Sequence, residues 1–129
     1  MKRTLGLITA LTALSTTAFA DVTGVWATEE GETGGYAIVM VTACEDDPAK
    51  ICGTITDIID NENRESVGKP IILDMEDKGN GKFRGGKIYA PDQDKWYNSR
   101  MVFKGDVLAV YGCVAGGLIC RGQDWSRIE

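Results

Sequence analysis

The sequence predicts an all-β fold, a small antiparallel up-and-down barrel of about eight strands. Three observations carry that expectation. β-Branched and aromatic residues come in short runs between clusters of Gly, Asp and Asn. Tyr97, Ser99, Met101 and Phe103 alternate with Asn98, Arg100 and Lys104, so one face is apolar and the other wet. Beyond the first twenty residues, no window of about ten residues combines helical spacing with caps, apart from a turn near Asp60–Ser66.

The elements follow in order. Val22–Thr28 reads as the first strand, and Tyr36–Ala43 as a nearly continuous apolar second one. Ile51–Ile59 returns after the polar loop Glu45–Lys50, which makes a hairpin. Polar residues from Asp60 to Glu65 lead into Pro70–Leu73, a short piece whose proline favours a strand start or an edge. Lys78-Gly79-Asn80-Gly81 is an Asn-Gly turn feeding Lys82–Tyr89. Within that strand Phe83 and Ile88 are out of phase, and Gly85-Gly86 between them is where a bulge absorbs the extra residue. The alternating strand through Phe103 turns at Lys104-Gly105-Asp106 into Val107–Cys113, and Val114-Ala115-Gly116-Gly117 turns again into Leu118–Ile128. A meander of this size removes its exposed edges by closing on itself. A two-sheet sandwich is the alternative, because periodicity does not say which strands meet last.

The chain of 129 residues begins with a secretory leader: basic Met1-Lys2-Arg3, apolar Leu5–Leu14, and the small-residue motif Ala18-Phe19-Ala20 before Asp21. Residues 1–20 are thus a signal peptide, and 21–129 form a single domain with one core, located in the periplasm or secreted. No later apolar run reaches the ~18 residues of a spanning helix, and the strands read as shorter than the roughly 9–11 residues of a membrane barrel. The leader carries two of the 14 basic residues and none of the 19 acidic ones, so the exported chain is more acidic than the formal −5. Such a surface repels phosphate backbones and anionic headgroups, and nucleic acid is not an expected partner.

Export places the four cysteines in an oxidising compartment. Cys44 and Cys52 have seven residues between them, Cys113 and Cys120 six, and each pair brackets the loop of one hairpin. Pairing within each hairpin needs no long-range assumption, because neighbours across a hairpin reach the ~5.5 Å Cα separation a disulfide requires. Loops this short trap little unfolded-state entropy, so each bridge contributes at most about 2–3 kcal/mol. Neither pair has Cys-x-x-Cys spacing, and no metal or other cofactor is expected.

Gly24-Val25-Trp26 resembles the motif with which lipocalins begin, where the tryptophan closes one barrel end and an arginine of the last strand lies against it. Arg127, or second to it Arg121, sits in the strand that would supply the arginine; the plainer reading makes Trp26 a core residue of any β-domain. A broader resemblance covers nearly all of residues 21–129. In order come Gly24-Val25-Trp26, Cys52-Gly53-Thr54-Ile55, Gly68-Lys69-Pro70-Ile71-Ile72-Leu73, Gly85-Gly86-Lys87-Ile88-Tyr89-Ala90-Pro91, Lys95-Trp96-Tyr97, Leu108-Ala109-Val110-Tyr111-Gly112 and Asp124-Trp125-Ser126-Arg127. This series resembles the bacterial DUF2147 family, small exported proteins of unassigned activity. The resemblance implies a lipocalin-like barrel and supplies no catalytic residue. Ala90 stands where the family usually has an acid, and the cysteine pairs are additions to its pattern.

Histidine is absent, which removes the commonest general base and metal ligand. Paired carboxylates are enough for glycoside hydrolysis, but acids are so numerous that no pair stands out, and no catalytic residue is assigned. Tyr36, Tyr89, Trp96, Tyr97, Tyr111 and Trp125 are candidates by strand position to line a cavity for a small apolar or amphipathic ligand. A barrel of about eight strands holds one small ligand or only side chains, and the many glycines and short strands favour the filled interior. The readings to separate are therefore a ligand-binding barrel, an envelope protein-interaction module and, least, an enzyme.

Overall fold

A computed structural model of the protein describes residues 22–129. The signal peptide expected over residues 1–20 lies outside the described residues. Eight strands, β1 (Gly24–Ala27), β2 (Tyr36–Ala43), β3 (Lys50–Ile59), β4 (Pro70–Asp77), β5 (Lys82–Ala90), β6 (Lys95–Phe103), β7 (Val107–Val114) and β8 (Ile119–Arg127), pair antiparallel in sequence order. β1 also pairs with β8, so the sheet closes into a barrel and the sandwich alternative is set aside. The only helical element among the described residues is a 3-10 turn, Ala115–Gly117; the segment near Asp60–Ser66 is turn without helix.

Alternation sorts the side chains. Residues directly opposite one another across a ladder share a face. Val39 faces Trp26 and Ile55, Met101 faces Phe83 and Val110, and Leu108 faces Phe103 and Trp125. These belong to one buried cluster to which every strand contributes: Trp26 from β1, Val39 and Val41 from β2, Ile51 and Ile55 from β3, Ile72 and Met75 from β4, Phe83, Met101, Leu108, Val110 and Trp125 from the rest. The cluster fills the barrel's middle. At Gly53 an added Cβ would lie 3.2 Å from both Ile72 and Val39, and at Gly112 it would lie 3.3 Å from Ile88 and 3.4 Å from Tyr97. Glycine at these inward positions lets larger neighbours meet over the backbone.

Two expectations need correction. The fourth strand runs to Asp77, not Leu73. Asp74 takes φ 57°, a local irregularity that re-aims the chain so that Met75 turns inward and Glu76 and Asp77 still pair with Arg84 and Phe83. Three acids around one methionine do not read as a strand. Second, β3 has ten residues and β5, β6 and β8 have nine, so strand length does not set this barrel apart from membrane barrels. The distribution of side chains does: the apolar cluster faces inward, while Arg84, Lys87, Asn98, Arg100 and Asp124 are on outward rows. No helix among the described residues is long and apolar enough to cross a membrane.

The β5–β6 register shifts between Phe83 and Gly86, where Gly85 adopts φ +84°. Gly86 is there because β4 passes against it: an added Cβ would lie 2.3 Å from the Leu73 carbonyl oxygen and 2.9 Å from the Met75 nitrogen. Backbone cannot give way as a flexible side chain can. Gly86→Ala is therefore expected to cost about 2–3 kcal/mol in denaturant unfolding. Gly34→Ala, with nothing within 4 Å of the new carbon but φ +90°, should cost only about 1 kcal/mol of backbone strain.

Candidate functional site

In an up-and-down barrel the loops alternate between two ends. Loops 28–35, 60–69, 91–94 and 115–118 gather at one, while 44–49, 78–81, 104–106 and the described chain ends gather at the other.

At the second end the tryptophan of β1 is held by the arginine of β8, beside a cleft of about 120 Å³ lined by Val22, Asp77, Gly79–Gly81, Phe83 and Phe103. Trp26 is fully buried, donates from Nε1 to the Val22 carbonyl at 3.0 Å, and meets Phe103 edge-on at 6.2 Å between ring centroids. Arg127 lies in register opposite Trp26, with its guanidinium 4.4 Å over the indole and 5.6 Å from the Phe103 ring. Its Nη1 donates to the Thr23 carbonyl at 3.2 Å. Gly24 has no side chain because Arg127 and the chain end occupy its place: an added Cβ would meet the Glu129 oxygen at 2.5 Å and Arg127 Nη1 at 2.9 Å. Arg121, the second candidate for this role, sits opposite Gly112 toward the other end.

The six aromatic candidates do not share one wall. Trp125 is in the core, with its Nε1 donating to Gln123 Oε1 at 2.6 Å. Tyr97 is on the inward row opposite Ile88 and donates its hydroxyl to Gln93 Oε1. Tyr89 donates to Asp94 Oδ1 at 2.6 Å and packs 5.2 Å from Trp96, which is 39% exposed. These three therefore tie down the 91–94 turn. Tyr36 pairs with Ile59 at the start of β2. Tyr111, between inward Val110 and Gly112, faces outward under the Arg100 guanidinium at 4.4 Å. Its ring rests on Gly122, where an added Cβ would be 2.6 Å from it.

Both cysteine pairs are joined within their hairpins, Cys44 to Cys52 and Cys113 to Cys120. Cys44, Cys52 and Asp74 are close enough to suit a metal ion, but sulfurs bonded to each other offer no thiolate. The carboxylates with displaced acidity are held in ion pairs. Asp57 is held below its usual pKa by Arg64, 2.5 Å away, and next by the Ile58 N–H. Glu76 is lowered chiefly by Lys78 at 2.8 Å, with Lys50 adding to it. Neither is poised to exchange a proton near neutrality.

Two features escaped the sequence reading. One is the β7–β8 tip: Val114, Leu118 and Ile119 are 45%, 88% and 64% exposed, on a loop whose base is clamped by Cys113–Cys120. An apolar run in a turn that ought to be polar was the available signal. The other is an outer-wall groove of about 200 Å³ bordered by Arg84, Gly85, Asn98, Arg100, Cys113 and Gly116–Gly117.

Closed eight-stranded topology and an apolar interior capped by Trp26 under Arg127 place the molecule among lipocalin-like barrels. In keeping with that class, it is similar over 83% of its length to a solved structure, protein HP1028 from Helicobacter pylori, described as belonging to the lipocalin family, with TM-score 0.66, 17% identity and 82% of that chain covered. Residues 24–127 match the model of the DUF2147 family, described as an uncharacterized protein conserved in bacteria, and the chain belongs to that family. Among curated proteins none matches the sequence.

Arg127→Ala is expected to lower unfolding free energy by about 2 kcal/mol, through the lost stacking and hydrogen bonds, with Arg127→Lys intermediate because an ammonium keeps charge but not the flat stack. Denaturant melts followed by tryptophan fluorescence read this out. The Asp94 carboxylate holds the Tyr89 phenol above its usual pKa of 10, with burial adding to the effect. A raised folded-state value means a contribution to stability fully present below pH ~10 and lost as pH rises through the folded value. The phenolate absorbance difference between wild type and Tyr89→Phe should show Tyr89 ionising late, and Asp94→Asn should bring it back toward the usual range.

Proposed function

We propose that the protein is an exported envelope module that works by binding another protein through the disulfide-clamped β7–β8 tip, not by carrying an apolar ligand inside the barrel. The leader-like start of the sequence and two disulfides support residence in the periplasm or outside the cell. The observation that carries the reading is the tip itself. Leu118 and Ile119 are large apolar side chains left in water, at a cost of about 25 cal/mol per Å² of exposed apolar surface, on a hairpin stiffened at its base. A partner surface that covers them recovers that free energy, and the disulfide removes part of the ordering entropy that association would otherwise cost.

The interior cluster argues the same way. A small apolar molecule would have to displace Trp26, Trp125, Met75 or Met101, each essentially without solvent contact and packed on its neighbours. Sites for drug-sized ligands run to roughly 300–1,000 Å³, beyond the outer groove's volume of about 200 Å³.

A photo-crosslinking amino acid placed at position 118 in the native cell is expected to give one discrete protein adduct, absent when Ile119 is changed to Glu, with thermal stability unchanged. Native mass spectrometry of protein from its own compartment should show the unliganded mass. No discrete adduct, together with a co-purifying small apolar molecule, would replace this reading with the carrier one.

A further inference from the structure

The outer wall carries a concave cluster of cations that the tip-binding reading does not use. Arg84 and Arg100 both line the groove, and Lys87 is held beside it, donating to Asn98 Oδ1 at 3.0 Å, with Asn98 also in the lining. Among the described residues neither arginine forms an ion pair. Glu76 stands in register with Arg84 and would be its natural partner, but its carboxylate is taken by Lys78 at 2.8 Å and Lys50 at 3.8 Å. Three cations thus collect on one stretch of an acidic protein.

The backbone makes room for a ligand there. Gly85, the bulged residue at φ +84°, lines the groove with backbone alone, and the side its missing Cβ would occupy faces the Glu76 carboxyl, 3.6 Å away, which Lys78 and Lys50 neutralise. The turn at Gly116–Gly117 forms the opposite rim, again without side chains, and Cys113–Cys120 fixes where that turn leaves the sheet. Arg100 is pre-oriented: Tyr111 supports its guanidinium plane from below, and Gly122 supports Tyr111. A stacked guanidinium keeps its edge donors available, and forked donors suit the paired oxygens of an oxyanion.

We propose that this groove binds a phosphoryl group. Two arginines in the lining, with Lys87 behind Asn98, match a phosphate monoester or diester better than a single carboxylate, and a volume of about 200 Å³ accommodates a headgroup-sized anion, not a nucleic-acid strand or a fatty chain. The site gives the Gly85-Gly86 bulge a role: Gly86 lets β4 pass, and the register shift at Gly85 leaves Arg84 on the same groove as Arg100. The phosphoryl group can arrive on a soluble phosphorylated compound or on a lipid headgroup, and the two sources are separable by experiment. The proposal is independent of what the tip binds.

The test uses the exported, disulfide-bonded protein labelled for amide NMR and titrated with inorganic phosphate at constant ionic strength, with acetate as the control anion. Saturable shifts confined to residues 84–87, 98–100 and 116–117 are expected with phosphate and not with acetate. Arg84→Gln, a change at an exposed residue without a folded-state ion pair, should weaken binding at least tenfold while leaving the melting temperature unchanged, and Arg84→Gln with Arg100→Gln should abolish it. Cosedimentation with phosphatidylglycerol vesicles and not phosphatidylcholine vesicles, lost in the same variants, would assign the group to a lipid; phosphate binding without vesicle binding would assign it to a soluble compound. No localised shift with phosphate and no vesicle binding, equal shifts with acetate, or binding that survives Arg84→Gln would overturn the proposal.

Discussion

The seam between β1 and β8 is the contact on which the architecture depends. β1 has four residues, and its register with β8 consists of Trp26 opposite Arg127 and Ala27 opposite Ser126, extended by the Val25 N–H to the Glu129 carbonyl and the Ile128 N–H to the Val25 carbonyl. Without that seam the sheet would have two free edges and an apolar face open to water. The ladder is too short to hold by backbone bonds alone. Arg127 reinforces it from the side, stacked on Trp26, near Phe103 and bonded to the Thr23 carbonyl, so that β8, β6 and the entry to β1 are joined through one guanidinium.

Closure has a functional consequence. In the function proposed above, a barrel whose interior is occupied by a cluster drawn from every strand uses its outside and its loops for recognition. The exterior is divided accordingly. The disulfide-clamped tip presents Leu118 and Ile119, the outer wall beside it collects Arg84, Lys87 and Arg100, and Glu29 folds back from the long β1–β2 loop to accept the Asp124 N–H at 2.6 Å. Apolar and cationic surfaces thus adjoin at Gly116–Gly117 on a molecule with a plain hydrophobic middle. Glycine is the common device: Gly116–Gly117 leave one rim of the groove open, Gly122 seats Tyr111, and Gly53 and Gly112 let the core close over them.

Much of this was legible in the residues. Short β-rich runs between turn residues give the strand order, the out-of-phase Phe83 and Ile88 locate the bulge, and the cysteine spacing points to bridges within hairpins. What was not legible depends on phase and register. Leu108-Ala109-Val110-Tyr111 is apolar on both faces, so nothing local says that Tyr111 points out. Met75 lies among acids, and only the left-handed conformation of Asp74 turns it into the core. The cation cluster needs residues of β5 and β6 brought side by side across a bulge, a relation that no linear motif encodes. The exposed tip is the exception, since an apolar turn between two cysteines is visible in the sequence once exposure is asked about.

Native-state hydrogen exchange measures whether the β1–β8 seam opens apart from the rest of the barrel. A barrel held shut by Arg127 on Trp26 over a filled interior predicts that the amides of Val25, Ile128 and Glu129, which donate across the seam, exchange only through global unfolding, with the same opening free energy as the central amides of β7. Exchange of the β1 and β8 amides through a separate opening of lower free energy, while β7 stays protected, would contradict it and describe instead a barrel that parts along this line to admit a guest.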